Sequence, residues 1–255
     1  MSADDVPGDN NWKPYGVTEE IFCSGRSNYA GQSVGLILAQ TRAAALEAAR
    51  HVKIDYGNRA PVVCDMEEAM ETPTNIVSGG YTMEYGDVVG ALNSADHIVQ
   101  GRFKMGSQYH FHMETQTCIV TPVEDGFDLE ITSQDVNNTQ HQVAAALGTS
   151  ANSINITVKR LGGAYGAKIT LPIHLATAGA VAANKTNKPV RIWMPLEDNM
   201  RMLGMRNHYL FDYKASHQDH LKGLKDLKFP LRLVSQRPEL CWAWRPASTL
   251  TPAGA

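Results

Sequence analysis

Hydrophobic and polar positions along the chain switch between two periods. Residues 33–39 form a short apolar run flanked by glycine and predict a buried strand. Thr41 stands where a helix N-cap belongs. Beyond it Ala45, Ala48, Ala49 and Val52 recur at helical spacing over 42–52, which gives that helix one small apolar face. Residues 53–56 return to a strand pattern, and 66–70 suggest a short helix ahead of Pro73. A second unit starts near Gly86 and Asp87, which lead into 88–92, and strand patterns follow at 98–103, 111–123 and 127–133. Asp135 is placed to cap a helix running to 147, where Gly148 ends it. Residues 154–158 alternate strictly and predict a half-buried strand, followed by a glycine-rich turn and an alanine-rich helix over 172–184. Strands at 189–193 and 209–213 complete an α+β pattern.

Length and composition narrow the function classes. The chain's 255 residues, 43% of them hydrophobic, suffice to bury a core in one large domain or two modest ones. With 23 basic against 26 acidic side chains there is no broad basic surface, so no nucleic-acid partner is expected. Cysteines 23, 64, 118 and 241 form no CxxC pair, which fits a reducing compartment and a cytoplasmic location. The amino-terminal MSADDVPGDNNW lacks the basic start and apolar run of a secretory signal. No apolar stretch approaches the ~20 residues that span a bilayer, so no membrane partner is expected. Residues 215–255 carry six basic and three acidic side chains, with Trp242 and Trp244 near the end and no sustained period. That tail reads as appended, poorly ordered sequence rather than a third domain.

Four features could carry chemistry. RLGGAYGAKIT at 160–170 lies between a strand and a helix, where glycine lets backbone N–H groups approach a ligand. It misses the P-loop pattern at Ala167 and Ile169 and the dinucleotide pattern at Ala164, so it reads first as a tight turn and second as a ligand loop. If 110–114 is a strand, His110, His112 and Glu114 share one face. Two imidazoles and a carboxylate could hold zinc, although buried hydrogen bonding accounts for them more simply. Gln134 closes a strand just before the Asp135 cap, and its neutral amide can donate to an oxo or carbonyl oxygen without adding charge. Cys118 sits in an apolar strand and is expected to be inert.

Taken in order, several segments resemble the aldehyde oxidase and xanthine dehydrogenase family of molybdenum hydroxylases. They are DDVPG at 4–8, YAGQSVGLILAQT at 29–41, AARHVKIDY at 48–56, GSQYHFHMETQ at 106–116, ITSQDVNNTQ at 131–140, VKRLGGAYGAK at 158–168 and KPVRIWMPLEDNMRMLGMRNHY at 188–209. The resemblance implies a partial α/β hammerhead domain over 1–79, the first part of a molybdopterin-binding α/β domain over 80–214, and an unmatched tail over 215–255. It also implies a molybdenum–molybdopterin cofactor, with FAD and [2Fe–2S] centres and a homodimer in full-length members.

By the same resemblance Gln134 approaches an oxygen on molybdenum, and Ala164, Tyr165 and Gly166 form the turn against that centre, so that Gln134 and Tyr165 stand nearest the metal. The family turn usually reads Gly-Phe-Gly. Here Ala164 adds a Cβ and Tyr165 a hydroxyl. Ile169 stands where xanthine-oxidising members hold a glutamate and aldehyde-oxidising members an apolar residue, which implies a small aldehyde as substrate. The family's general-base glutamate belongs to a later Gly-Glu segment that has no counterpart here, so this chain alone is expected to be inactive. The alternative is a truncated, non-catalytic product or interaction protein of the same lineage.

Overall fold

The computed structural model describes residues 1–12, 18–57, 61–71, 83, 85–202 and 205–217, and the backbone of 231–235. The chain divides into two units. One draws on Met1–Val62 and His110–Gly204, the other on Val63–Tyr109 and Met205–Trp242.

In the larger unit, β2 (Thr117–Val123), β3 (Gly126–Ile131), β4 (Ile154–Thr157) and β5 (Val190–Trp193) form a four-stranded sheet in the order β4-β3-β2-β5. Only β3 and β4 pair parallel, because α4 (Val136–Leu147) carries the chain from the end of one to the start of the other. The Asp135 carboxylate accepts from Asn138 N–H at 3.0 Å to start α4, and Gly148 ends it in the left-handed region at φ 66°. Helix α5 (Ala167–Thr186) is alanine-rich because it is enclosed on nearly every side. Leu175, Ala176, Ala180 and Ala183 lie on the sheet with Cys118, Val120 and Leu129, whereas Ile173, Ala178 and Val181 meet Trp12, Ile21 and Phe22 of the amino-terminal segment.

Helix α5 begins at Ala167, five residues ahead of the predicted start, and therefore holds Pro172 inside it. A proline has no N–H for the carbonyl four residues back, and its ring crowds that carbonyl. Lys168 accordingly leaves helical geometry (φ −99°, ψ 17°), and its carbonyl oxygen accepts instead from Gln134 N–H at 2.6 Å. The proline thus opens a carbonyl that another segment takes up.

Several expectations for the first ninety residues are corrected. Residues 33–39 and 53–56 enter no β-ladder, and Val34, Leu38 and Ile54 are exposed. The helix after Thr41 does form, as α1 (Arg42–Arg50), with the threonine side chain accepting from Ala44 N–H at 3.2 Å. None of its residues is buried, because no described segment covers its small apolar face. The strand expected over 111–123 begins only at Thr117, since Phe111 takes φ 47°, outside extended geometry. A short helix, α6 (Leu196–Met202), was not predicted.

In the smaller unit, β1 (His97–Met105), β6 (Tyr209–His217) and β7 (Leu231–Ser235) make an antiparallel sheet in the order β1-β6-β7. Helices α2 (Met66–Met70) and α3 (Val88–Asn93) are capped by Asp65 and Asp87. Arg102 pairs with Asp212 and Glu67, and Lys104 with Asp65 and Glu67, in an exposed network across the strands. Exposed pairs of this kind contribute little individually. Strand β6 runs past residue 214, and β7 falls inside the expected tail. The rest of that tail, Trp242 and Trp244 included, lies outside the described residues.

Candidate functional site

The turn before α5 is built from backbone that most residues avoid. Gly163, Tyr165 and Gly166 lie at φ 89°, 55° and 92°. For tyrosine that conformation costs of order 1 kcal/mol or more, so the surroundings must hold it. The Ala164 side chain points inward at 8% exposure, whereas Tyr165 stands 73% exposed. A side-chain carbon placed on Gly166 would meet nothing within 4 Å, so this backbone is open to a ligand. Among the described residues, the N–H groups of Tyr165 and Gly166 have no hydrogen-bond partner. They stand at the start of a long helix, where partial positive charge favours anions.

Gln134 comes to the same place through its backbone. The N–H bond to the Lys168 carbonyl sets it alongside the start of α5, one residue from half-buried Ile169. Gln134 lies in the loop after β3 rather than at a strand end, and the Ser133 hydroxyl accepts from Asp135 N–H at 3.0 Å to shape that loop. Its exposed amide has no partner among the described residues. Five of the expected residues, Gln134, Ala164, Tyr165, Gly166 and Ile169, therefore gather around one helix start.

His110, His112 and Glu114 do not make the strand face expected for them. The positive φ at Phe111 breaks the alternation, and the side chains have other work. His112 is 2% exposed, and because a carbonyl only accepts, its Nδ1–H donates to Glu114 O at 2.6 Å. Burial and the nearby Lys168 charge push the His112 imidazole below its usual value against that hydrogen bond. The Glu114 carboxylate accepts from Lys168 Nζ at 2.6 Å and from Gly162 N–H at 2.9 Å. Burial raises the Glu114 carboxyl, but those two donors and the Lys168 charge outweigh it and hold the group below the ordinary glutamate range. Among the described residues no cluster of three His, Cys, Asp or Glu could hold a metal ion.

Two buried groups escape a reading of the sequence. Lys168 is fully enclosed, and nothing in a local pattern marks a lysine in the first turn of a helix as buried. Gln116 is also fully buried. Its Nε2 donates to Ala167 O at 3.3 Å and its N–H to Asn199 Oδ1 at 2.9 Å, while its Oε1 has no partner among the described residues. Cys118, by contrast, behaves as expected, its thiol pushed up to about 12 by burial.

Comparison with known proteins supplies the family. The family model described as the molybdopterin cofactor-binding domain matches residues 68–224, and the aldehyde oxidase and xanthine dehydrogenase a/b hammerhead domain matches residues 1–60. The xanthine dehydrogenase of Emericella nidulans is 37% identical over 211 residues, covering 82% of this chain and 15% of that protein. Aldehyde oxidase 3 of Mus musculus is 36% identical over 226 residues, covering 87% of this chain and 16% of that protein. This chain therefore spans about a sixth of the length of these relatives. The aldehyde oxidoreductase of Desulfovibrio gigas shares the fold, with a TM-score of 0.70 over 86% of this chain and 26% of that one, at 21% identity. With ordered segments, fold and family models in agreement, the chain belongs to the aldehyde oxidase and xanthine dehydrogenase family and carries its molybdopterin cofactor-binding domain.

Proposed function

We propose that this chain forms one wall of a molybdenum–molybdopterin site that hydroxylates aldehydes to carboxylic acids, with water as the oxygen source. The observation that carries the proposal is the bond from Gln134 N–H to the Lys168 carbonyl, which brings Gln134 to the start of α5, where the Tyr165–Gly166 backbone is open. These residues fit the cofactor. The inward-pointing Ala164 methyl leaves the open face clear, and neutral amide and backbone donors suit its anionic oxygens. When bound, the cofactor supplies oxygen transfer to the aldehyde carbon and accepts the released electron pair. FAD and [2Fe–2S] centres belong to full-length family members.

The chain's own residues orient and exclude. Gln134 donates a hydrogen bond without bringing charge, which leaves the reactivity of the oxygen it holds to the cofactor. The N–H groups of Tyr165 and Gly166 supply further donors to an anion. Ile169 offers a hydrocarbon surface beside Gln134, and such a surface favours a carbonyl substrate over a polar purine, which would lose hydrogen bonds to water there. Overall identity does not separate the two substrate classes, since a xanthine dehydrogenase and an aldehyde oxidase match almost equally well. The sparse cysteines support a cytoplasmic setting. Among the described residues no helix is long and apolar enough to cross a membrane.

The test is direct. The purified chain, supplied with molybdenum–molybdopterin, is expected to retain molybdenum and pterin in equal amounts, and Gln134→Ala should lower both. A folded chain that retains neither would overturn the proposed site. In an assembly that contains this chain and turns over, kcat/KM is expected to favour an aldehyde over xanthine, and Ile169→Glu should shift that ratio toward xanthine by at least about tenfold. Preference for xanthine by the unaltered protein would defeat the aldehyde assignment.

A further inference from the structure

The glycine-rich turn is closed on itself by one oxygen atom. Glu114 Oε2 accepts from Gly162 N–H at 2.9 Å, where the turn begins, and from Lys168 Nζ at 2.6 Å, where it ends. The same glutamate donates its backbone N–H to Gly162 O at 3.1 Å, so residue 114 grips the start of the turn twice. The approach is close enough that a side-chain carbon on Gly162 would lie 2.7 Å from Glu114 Cβ. At the other end, the Lys168 carbonyl holds Gln134 N–H, in the place of the N–H that Pro172 lacks.

We propose that Glu114 and Lys168 are positioning residues: their ion pair staples the two ends of the 162–168 turn and thereby sets the exposed Tyr165–Gly166 backbone in register with Gln134. The consequence for ligand binding rests on the cofactor site proposed above, while the staple itself rests only on the contacts that Glu114 and Lys168 make within the turn. The Lys168 side chain is fully buried, and burying an ammonium group is unfavourable unless an acceptor meets it. A hydrocarbon side chain would fill the same volume without that cost. The charge is useful because it is directional: it can reach one carboxylate, and that carboxylate already holds Gly162. The turn carries three residues at positive φ, one of them tyrosine, so it needs tethers at both ends to stay in a conformation the backbone does not favour by itself.

A merely structural ion pair and a positioning one differ in the double variant. Lys168→Met with Glu114→Leu removes both charges, leaves no ion buried alone, and keeps side-chain volume. It is expected to fold with a Tm close to that of the unaltered chain. Exchange of the Ala167 and Ile169 amides, which donate to Ala164 O at 3.0 Å and Gly166 O at 3.3 Å, should nevertheless be faster by on the order of tenfold or more, and chymotryptic cleavage at Tyr165 should rise with it. Exchange in α4 serves as the internal reference and should not change. Unaltered exchange at Ala167 and Ile169 in a folded double variant would overturn the staple, as would a double variant that does not fold, since the pair would then hold the fold and not the turn.

Loading with molybdenum–molybdopterin separates the two proposals. If the unaltered chain retains the cofactor, the double variant should retain less of it while keeping its Tm, and equal retention would overturn the positioning role. If the unaltered chain retains none, the cofactor site fails and the exchange measurement alone decides the staple.

Discussion

At the residue scale, Glu114 and Lys168 are an unequal pair. Lys168 has no exposed surface, whereas the Glu114 side chain is 35% exposed and also holds Gly162 N–H. Removing the carboxylate by Glu114→Leu strands an ammonium group in the interior, which costs about 3–5 kcal/mol. Lys168→Met leaves a carboxylate that water and Gly162 can still satisfy, so the cost is nearer about 1–2 kcal/mol. Urea unfolding of the two single variants should therefore rank Glu114→Leu as the less stable, and the reverse order would show that solvent reaches Lys168. No local pattern reveals this pair, because its partners lie 54 residues apart. The same distance explains why Glu114 looks like a candidate metal ligand in the sequence. Its neighbours there are two histidines, but the side chain its carboxylate holds is a lysine.

At the scale of elements, legibility follows how local the determinant is. Helix α4 can be read from end to end, because an Asp135 cap and a Gly148 stop act within a few residues. Helix α5 cannot be read at its start, because Pro172 looks like a first-turn proline until the Gln134 N–H bond to Lys168 O is known. Residues 33–39 and 53–56 have the composition of strands, yet a strand needs a partner edge, and no described segment offers one. Packing between α5 and the sheet gives a sharper test. A side-chain carbon on Gly179 would approach Val120 Cγ2 to 3.1 Å and Cys118 Sγ to 3.3 Å, with both residues fully buried. Gly179→Val should push helix from sheet and cost about 1–3 kcal/mol, read as a fall in Tm with the helical circular dichroism retained. An unchanged Tm would mean that helix and sheet are less closely packed than these distances imply.

For the larger unit as a whole, acid is the expected weak point. Burial pushes the His174 imidazole below its usual value despite its hydrogen bond at 2.9 Å to Ile21 O, and His112 is shifted the same way. An unfolded histidine titrates near about pH 6.5, so below that value the unfolded chain takes up protons that the folded chain refuses. Stability is therefore complete above about pH 6.5 and falls as the solution is acidified, by at most about 1.4 kcal/mol per pH unit for each of the two histidines. Glu114, held low, adds its own loss only further into acid, as pH falls below the ordinary glutamate range. His174 should dominate the consequence for the fold, because it joins α5 to the amino-terminal segment through Ile21 and lies 5.7 Å from the Trp12 ring. Protonating it places a charge beside the cluster of Trp12, Ile21 and Phe22, so that segment is expected to loosen before the sheet does. His174→Gln keeps an N–H donor for the Ile21 carbonyl but does not titrate. Urea unfolding followed by circular dichroism should show a shallower dependence between about pH 6.5 and 5 in that variant, with His112 supplying what slope remains. A slope equal to that of the unaltered chain would place the acid sensitivity elsewhere and leave His174 a packing residue alone.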